Sequence, residues 1–212
     1  MLGEVTVNGM EHFKVGKLSL NNDFLRFDCP PEVPNFRNCN GYWHDIITNA
    51  VTGEVSEVGH SFNIITEAIS KLAAARFRGG TDFQGIQMWA VGSGSSAWDA
   101  RWDSSLPPAA DAAAARLVNE IGRLPISISG QDSYMVFVDQ NGNPTDGLTN
   151  RLLVRRQFGR TEVNGDWREF AIFGGNANET RNSGIMINHK IHRIITKTPD
   201  MTVERNIIFT FN

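Results

Sequence analysis

The sequence predicts a mainly β protein with a smaller α component: an antiparallel β-sandwich or open barrel, with one long helix packed on it and an irregular N-terminal arm. Three observations lead to this fold class. The composition, with 20 glycines, 8 prolines and 13 phenylalanines in 212 residues, favours strands and turns over a helical bundle. Apolar segments separated by turn-forming residues fill the second half of the chain. A single long segment has apolar residues at helical spacing.

The first sixty residues predict an irregular arm. Short strand candidates cover residues 4–7 and 17–20, and few apolar residues recur with a regular period. The segment from Cys29 to Cys39 contains three prolines, which exclude it from a central strand. We therefore expect residues 1–60 to contact neighbouring subunits and residues 61–212 to form a single α+β domain.

The long helix is predicted from Ser61 to about Arg78. Its apolar residues form one stripe, made by Ile64, Ile65, Ala68, Ile69, Leu72 and Ala73. Arginines in the last turn suit the negative end of the helix dipole, and Gly79 ends the helix. A shorter alanine-rich helix is predicted from Asp111, which would cap it, to Ile121.

The remaining elements are predicted to be strands. They cover residues 83–91, 135–139, 151–158, 167–173, 184–191 and 202–211. The last strand alternates clearly, with one face formed by Val203, Arg205, Ile207, Phe209 and Phe211. Turn-forming residues between these segments are typical of a sandwich or an open barrel.

Charge and hydropathy exclude two classes of partner. The net charge of −3 argues against a protein that binds nucleic-acid phosphates. No apolar stretch approaches the roughly 18–20 residues that a membrane-spanning helix needs. We expect neither nucleic acid nor a membrane among the partners.

The glycine-rich segment Gly92–Ser95 invites comparison with a catalytic nucleophile turn. It lacks the Gly-x-Ser-x-Gly pattern and the helix start that such a turn requires. It also lacks the lysine of a phosphate-binding loop. We interpret the segment as a turn, and we find no catalytic constellation elsewhere, so we do not expect an enzyme.

The best candidate metal ligands lie close together in the sequence, and they are His44, Asp45, Glu54, Glu57 and His60. Nothing in their spacing places them on one face of an element. A second pair, His189 and His192, is three residues apart in or beside a strand, so the two side chains point to opposite faces. We predict no metal site and no cofactor.

Two tryptophans and two cysteines leave alternatives open. Trp98 and Trp102 could form a carbohydrate-binding platform, or they could pack over the edge of the barrel or into a neighbouring subunit. Cys29 and Cys39 could form a loop disulfide, pair with other chains or stay reduced. Because prolines stiffen the intervening loop and no glycine interrupts it, we favour partners in other chains or free thiols.

Four blocks of sequence occur in a familiar order. The blocks are the helix Ile65–Ala75, the strand and turn Met88–Gly94, the segment Arg116–Arg123, and the strand Trp167–Gly174 followed by Gly184–Asn188. This order resembles the N-terminal domain of phage tail-collar fibre proteins and related virion structural proteins, over residues 62–211. Ala171 stands where that family usually has glycine. Family members commonly continue into a long repetitive shaft, which does not follow the last strand here.

The resemblance implies a non-enzymatic virion structural protein, made in the host cytoplasm. It would act in the tail, collar or baseplate as an adaptor or connector for fibres, with its own copies and other virion proteins as partners. The absence of a shaft favours this role over that of a receptor-binding fibre. The alternative is a carbohydrate-binding module of a phage tail that uses the loop from Trp98 to Trp102. A small hydrolase or cell-wall depolymerase is disfavoured because the sequence shows no acid/base pair.

Four charged residues within these blocks are structural candidates on physical grounds. Glu120 and Arg123 would be neighbours at a helix end, and Arg168 and Glu169 open a strand. An arginine–carboxylate pair between the two segments would fix the helix end against the sheet through bidentate hydrogen bonds. We expect these charges to stabilise packing and not to act in catalysis.

Overall fold

The computed structural model describes residues 39–102 and 108–211. About half of these residues lie in strands, and the strand pairs are antiparallel. This confirms the mainly β fold class. The chain divides into two compact units: unit 1 contains residues up to 62, 128–160 and those from 199 on, and unit 2 contains residues 63–127 and 161–198.

The elements are, in chain order, β1 (Asn40–Asn49), β2 (Val55–Ile65), α1 (Ala68–Phe77), β3 (Gln84–Gly92), a 3₁₀ helix (Ser96–Arg101), β4 (Glu120–Pro125), β5 (Ser133–Phe137), β6 (Arg151–Phe158), β7 (Gly165–Gly175), β8 (Ile185–Met186), β9 (Asn188–Lys197) and β10 (Met201–Thr210).

Unit 1 is a sheet in which β10 lies between β1 and β6. The strand order is β2-β1-β10-β6-β5, and β1 pairs with β10 along its whole length, from Asn40 opposite Thr210 to Asn49 opposite Met201. The sheet residues with the least exposure are mostly apolar, and they include Trp43, Val154, Phe158, Val203 and Ile207. On the face predicted for the last strand, Val203, Arg205, Ile207 and Phe209 are buried. Phe211 follows the end of β10 and is 45% exposed.

Unit 2 is built around β7, which is buried along most of its length. The strand order is β4-β3-β7-β9, with β8 also paired to β7, and the last two residues of β2 pair with β9. Large apolar side chains from the two central strands, among them Trp89, Phe170, Ile172 and Phe173, are fully buried. Helix α1 follows Thr66, whose hydroxyl donates to the carbonyl oxygen of Met186 in β8.

The long helix begins later than predicted. It spans the ten residues Ala68–Phe77, because residues 61–65 form the end of β2. Ile64 and Ile65 fit a helical stripe by their spacing, but they pair with His189 and Asn188 in the sheet. Leu72 is the buried residue of the helix.

The second predicted helix, from Asp111 to Ile121, is wrong. Residues 108–119 are irregular, with a turn at 112–113 and bends at 116, 118 and 119, and Glu120–Pro125 is a strand. Asp111 does accept a hydrogen bond at Oδ1 from the backbone N–H of Ala113, at 2.9 Å, as a capping residue would. The backbone from residue 120 on pairs with β3 instead, and these sheet hydrogen bonds outweigh the helix preference of the alanines.

The part of the predicted irregular arm that the structure describes consists mainly of two strands. Residues 40–49 and 55–60 lie in β1 and β2, and the turn between them is closed by Asn49, whose Oδ1 accepts hydrogen bonds from the backbone N–H groups of Val51 and Thr52. The strand candidates at 4–7 and 17–20 lie outside the described residues. The contact role of the arm stays a prediction.

Candidate functional site: buried ion pairs of unit 2

A buried carboxylate lies near the centre of unit 2. Glu169 on β7 is 0% exposed, yet both of its carboxylate oxygens have donors. Oε1 accepts the backbone N–H of Asn119 at 2.9 Å, and Oε2 accepts that of Val118 at 3.1 Å. The ring nitrogen Nε2 of His189 lies 3.0 Å from Oε2. These contacts replace the hydrogen bonds to water that a carboxylate loses on burial.

Glycine at position 92 makes room for this carboxylate. Gly92 on β3 is opposite Glu169 on β7 in the strand register. A Cβ atom at Gly92 would lie 2.5 Å from Oε1 of Glu169, well inside van der Waals contact. The glycine is therefore needed for space, and the carboxylate occupies the volume that a side chain would take.

A buried ion pair lies within β4. Arg123 Nε and Nη2 donate to the two carboxylate oxygens of Glu120, at 2.6 and 2.7 Å. Nη1 of the same arginine donates to the carbonyl oxygens of Asn178 and Ser183, at 3.0 and 3.1 Å. The guanidinium also lies 4.6 Å from the centre of the Phe173 ring. This arginine therefore fastens the loop of residues 176–184 to β4.

A second, partly exposed ion pair joins β7 to the 3₁₀ helix. Arg168 Nε and Nη2 donate to the two carboxylate oxygens of Asp99, both at 2.8 Å. The hydrogen bond from Arg168 lowers the pKa of Asp99 below its usual value, and the bond to Asp99 raises the pKa of Arg168. Arg168 also donates to the carbonyl oxygen of Ser93, at 3.3 Å. The glycine-rich turn and the helix after it are thus held against the sheet.

The predicted pairing between the two charged segments has a different form. Arg123 bonds to Glu120 on its own strand, and Arg168 bonds to Asp99. Glu169 does connect the segments, but it accepts backbone N–H groups from residues 118 and 119 and no arginine. The segment 120–123 is a strand and not a helix end.

Sequence reasoning missed Asp99 and His189 as partners of this network. Each lies far along the chain from the residue that it contacts, so no local spacing reveals the pairs. One signal was present: Arg168 and Glu169 interrupt a strongly apolar strand, and buried charges need partners.

The two candidate tryptophans are half-buried and contact different groups. Trp98 lies in the 3₁₀ helix and covers Gly94, whose φ of +53° and lack of a side chain allow the close approach. Trp102 lies beside Arg193, whose guanidinium is 5.6 Å from the ring centre. Both rings therefore pack against residues near this loop.

The candidate metal ligands of unit 1 are separated in the structure. His44 Nε2 lies 3.7 Å from Oε2 of Glu57, whereas the next residue, Asp45, is bonded to Arg205. Glu54 is exposed, and the side chain of His60 lies outside the described part of the structure. Within the described residues, no three His, Cys, Asp or Glu side chains form a group that could hold a metal ion.

Cys39 is partly buried next to β1. Its thiol donates a weak hydrogen bond to the carbonyl oxygen of Asn40 at 3.8 Å, and burial raises its pKa to about 12. Cys29 lies outside the described residues, so the pairing of the two cysteines stays a prediction.

No helix in residues 39–102 and 108–211 is long and apolar enough to cross a membrane. Comparisons with protein-family models, curated proteins and solved structures found no match.

Proposed function

We propose that this chain is a non-enzymatic structural protein of a bacteriophage virion. In this proposal it is an adaptor or connector of the tail, collar or baseplate, and it anchors neighbouring virion proteins or fibres. One observation carries the proposal. The sequence blocks that resemble tail-collar proteins, although widely separated along the chain, all lie in unit 2.

Their contacts within that unit are direct. Glu169 of the fourth block accepts hydrogen bonds from Val118 and Asn119 of the third block, and it lies against Gly92 of the second. The segment before the helix is bonded to the last pair of strands through the backbone N–H of Thr66 and the carbonyl oxygen of Ile187, at 2.9 Å. Contacts of this kind are what the proposal requires of blocks that belong to one domain.

The buried charges support a structural role over a catalytic one. Each carboxylate of the network in unit 2 is bonded to a guanidinium, to backbone N–H groups or to both, and these bonds hold loops against strands. A subunit of a repetitive particle must present the same surface in every copy, and such bonds keep the surface loops in one arrangement. The finer architecture, a sandwich or open barrel with the helix packed on it, is part of this proposal.

Exposed apolar side chains are the candidate contacts with neighbouring subunits. The largest exposures are those of Val51, Phe77, Val118, Ile128 and Leu148. Phe77, at the end of α1, is 91% exposed. Exposed apolar residues are common singly, so the assembly itself must be tested.

Native mass spectrometry of the purified protein tests the proposal. We expect a closed oligomer, such as a trimer or a ring, that the variant Phe77→Ser weakens and the control Lys71→Ser on the same helix leaves intact. Immunogold labelling of particles should then place the protein in the tail, collar or baseplate. A strict monomer that is absent from particles would contradict the proposal, and retention of that monomer on a glycan array would support the carbohydrate-binding alternative.

A further inference from the structure

A buried lysine in unit 2 lies in contact with an asparagine amide. Lys197, the last residue of β9, is 1% exposed, and its Nζ lies 2.7 Å from Oδ1 of Asn164. The strand register explains the contact, since Lys197 is opposite Gly165 at the start of β7 and Asn164 immediately precedes that glycine. The two side chains are thus brought together by main-chain pairing and not by a chance surface encounter.

The surroundings favour a nucleophilic amine. Burial lowers the pKa of Lys197, an effect that the negative charge of Glu162 opposes. A lysine amine attacks a carbonyl carbon only in its uncharged form, so burial increases the reactive fraction. Glu162 precedes Asn164 by two residues, and its negative charge acts on Lys197.

The geometry also suits attack on the amide carbon. Nζ donates a hydrogen bond to Oδ1 at 2.7 Å, and Oδ1 is one C=O bond of about 1.23 Å from Cγ. Nζ is therefore roughly 3–4 Å from Cγ, which is at or just beyond the separation of about 3–3.5 Å from which reaction starts. Main-chain pairing between β7 and β9 holds both residues in place. The reacting groups therefore lose no translational entropy when they meet.

We propose that Lys197 and Asn164 become joined by an intramolecular isopeptide bond. The lone pair of Nζ attacks Cγ, a new Nζ–Cγ bond forms, and the bond from Cγ to Nδ2 breaks. Glu162 accepts a proton from Nζ and delivers it to Nδ2, which leaves as ammonia. Neither oxidation nor reduction occurs, and no other reactant is needed.

The bond would connect the start of β7 to the end of β9, which are 33 residues apart in sequence. It would form a covalent link between two strands of unit 2 that are already paired. The inference stands apart from the proposed function, because it depends only on the contacts of these residues.

The intact mass of the full chain is the first measurement. The linked protein should be about 17 Da lighter than the mass calculated from its sequence, because one ammonia is lost. The Lys197→Arg variant should have its full calculated mass. Trypsin should then release a branched peptide that joins residues 161–168 to residues 194–205, since acylated Lys197 is no longer cleaved. Linear peptides ending at Lys197, with no branched species, would overturn the inference.

Two controls separate this bond from other chemistry. A succinimide at Asn164-Gly165 loses the same mass, but it joins no peptides and is hydrolysed in mild alkali, which leaves an isopeptide bond intact. Lys197→Arg and Asn164→Ala should each abolish the branched peptide, whereas Lys71→Arg should retain it in full. Glu162→Gln should lower the linked fraction at least about tenfold, as expected for loss of a general base. Complete linkage in that variant would overturn the assigned role of Glu162.

Discussion

Gly92 and Glu169 lie opposite each other on neighbouring strands, and the carboxylate of Glu169 fills the space beside the Cα atom of Gly92. The small residue and the buried charge therefore depend on each other. Without the glycine, Oε1 could not reach the backbone N–H of Asn119 from its present position. The segment before β4 is consequently positioned by a residue that is distant from it in sequence.

Gly92→Ala should destabilise the protein by about 2–4 kcal/mol, because the added Cβ would push the carboxylate away from its donors or force the strands apart. The midpoint of urea denaturation measures the change. Gly85→Ala, on the same strand, is the matched control, since a Cβ there meets nothing within 4 Å. Equal midpoints for the two variants would show that the close approach at Gly92 does not affect the free energy of unfolding.

Asp45→Asn should cost about 3–5 kcal/mol, because it leaves the buried guanidinium of Arg205 without its anionic partner. Both side chains are 0% exposed, and Nε of the arginine lies 2.8 and 2.9 Å from the two carboxylate oxygens. The indole N–H of Trp43 also donates to Oδ1, at 2.6 Å.

Thermal and urea denaturation of this variant should be compared with Asp200→Asn. Asp200 and Arg160 form a largely exposed pair at 3.9 Å, whose loss should cost less than about 1 kcal/mol. A large loss for the exposed pair and a small loss for the buried pair would contradict the expectation.

The Asp99–Arg168 bond should make stability depend on pH in the acid range. The pKa of Asp99 is lowered in the folded protein, chiefly by the hydrogen bond from Arg168. Its contribution is therefore present above the unfolded pKa, near 3.8, and is lost as pH falls through the lower folded value. The Asp99 side chain is 37% exposed, so screening keeps the effect below about 1 kcal/mol.

Melting temperatures of wild type and Asp99→Asn at pH 6 and pH 3 measure this contribution. The difference between the two proteins should be larger at pH 6 and should shrink at pH 3. Asp82→Asn, an exposed control, should follow wild type at both values. A difference that grows at pH 3 would reverse the expected sign.

Cys39 should react slowly with alkylating reagents. With a pKa of about 12, its thiolate fraction at pH 8 is smaller than that of an ordinary cysteine by roughly three orders of magnitude. Peptide mapping of the fully reduced protein after timed iodoacetamide treatment should show this, with urea-unfolded protein as the control for intrinsic reactivity. Equal labelling of Cys39 in the folded and unfolded protein would contradict the expectation.

Two strands that are flanked by turn-forming residues were predictable from sequence. The predicted strand 151–158 coincides with β6, and the predicted strand 83–91 differs from β3 by one residue at each end. Their central residues are apolar, Met88–Val91 in β3 and Leu152–Val154 in β6, although β6 also contains three arginines. The alternation of the last strand identified one buried face, with Val203, Ile207 and Phe209. It did not reveal the opposite face, where Ile208 is buried in a second cluster with Val138 and Leu153.

β1 was missed because buried polar residues hide its pattern. His44 and Asp45 occupy buried positions of the strand, so hydropathy alone does not reveal it. Their stabilising partners, including Arg205, come from remote parts of the sequence. The candidate site was predictable to the same extent: Glu120, Arg123, Arg168 and Glu169 stand out as charges within apolar segments, but the identity of each partner depends on tertiary pairing.

The segments of the two units alternate along the sequence, and this order has a consequence for the newly made chain. Unit 1 takes residues from three separate stretches, and β10, which lies between β1 and β6, comes from the last of them. As the ribosome releases the polypeptide, β1 and β6 emerge before the strand that each must pair with. The sheet of unit 1 therefore cannot close during translation until Thr210 has left the exit tunnel, and the early strands expose their edges meanwhile. Nascent chains stalled before that point should need a chaperone to remain soluble.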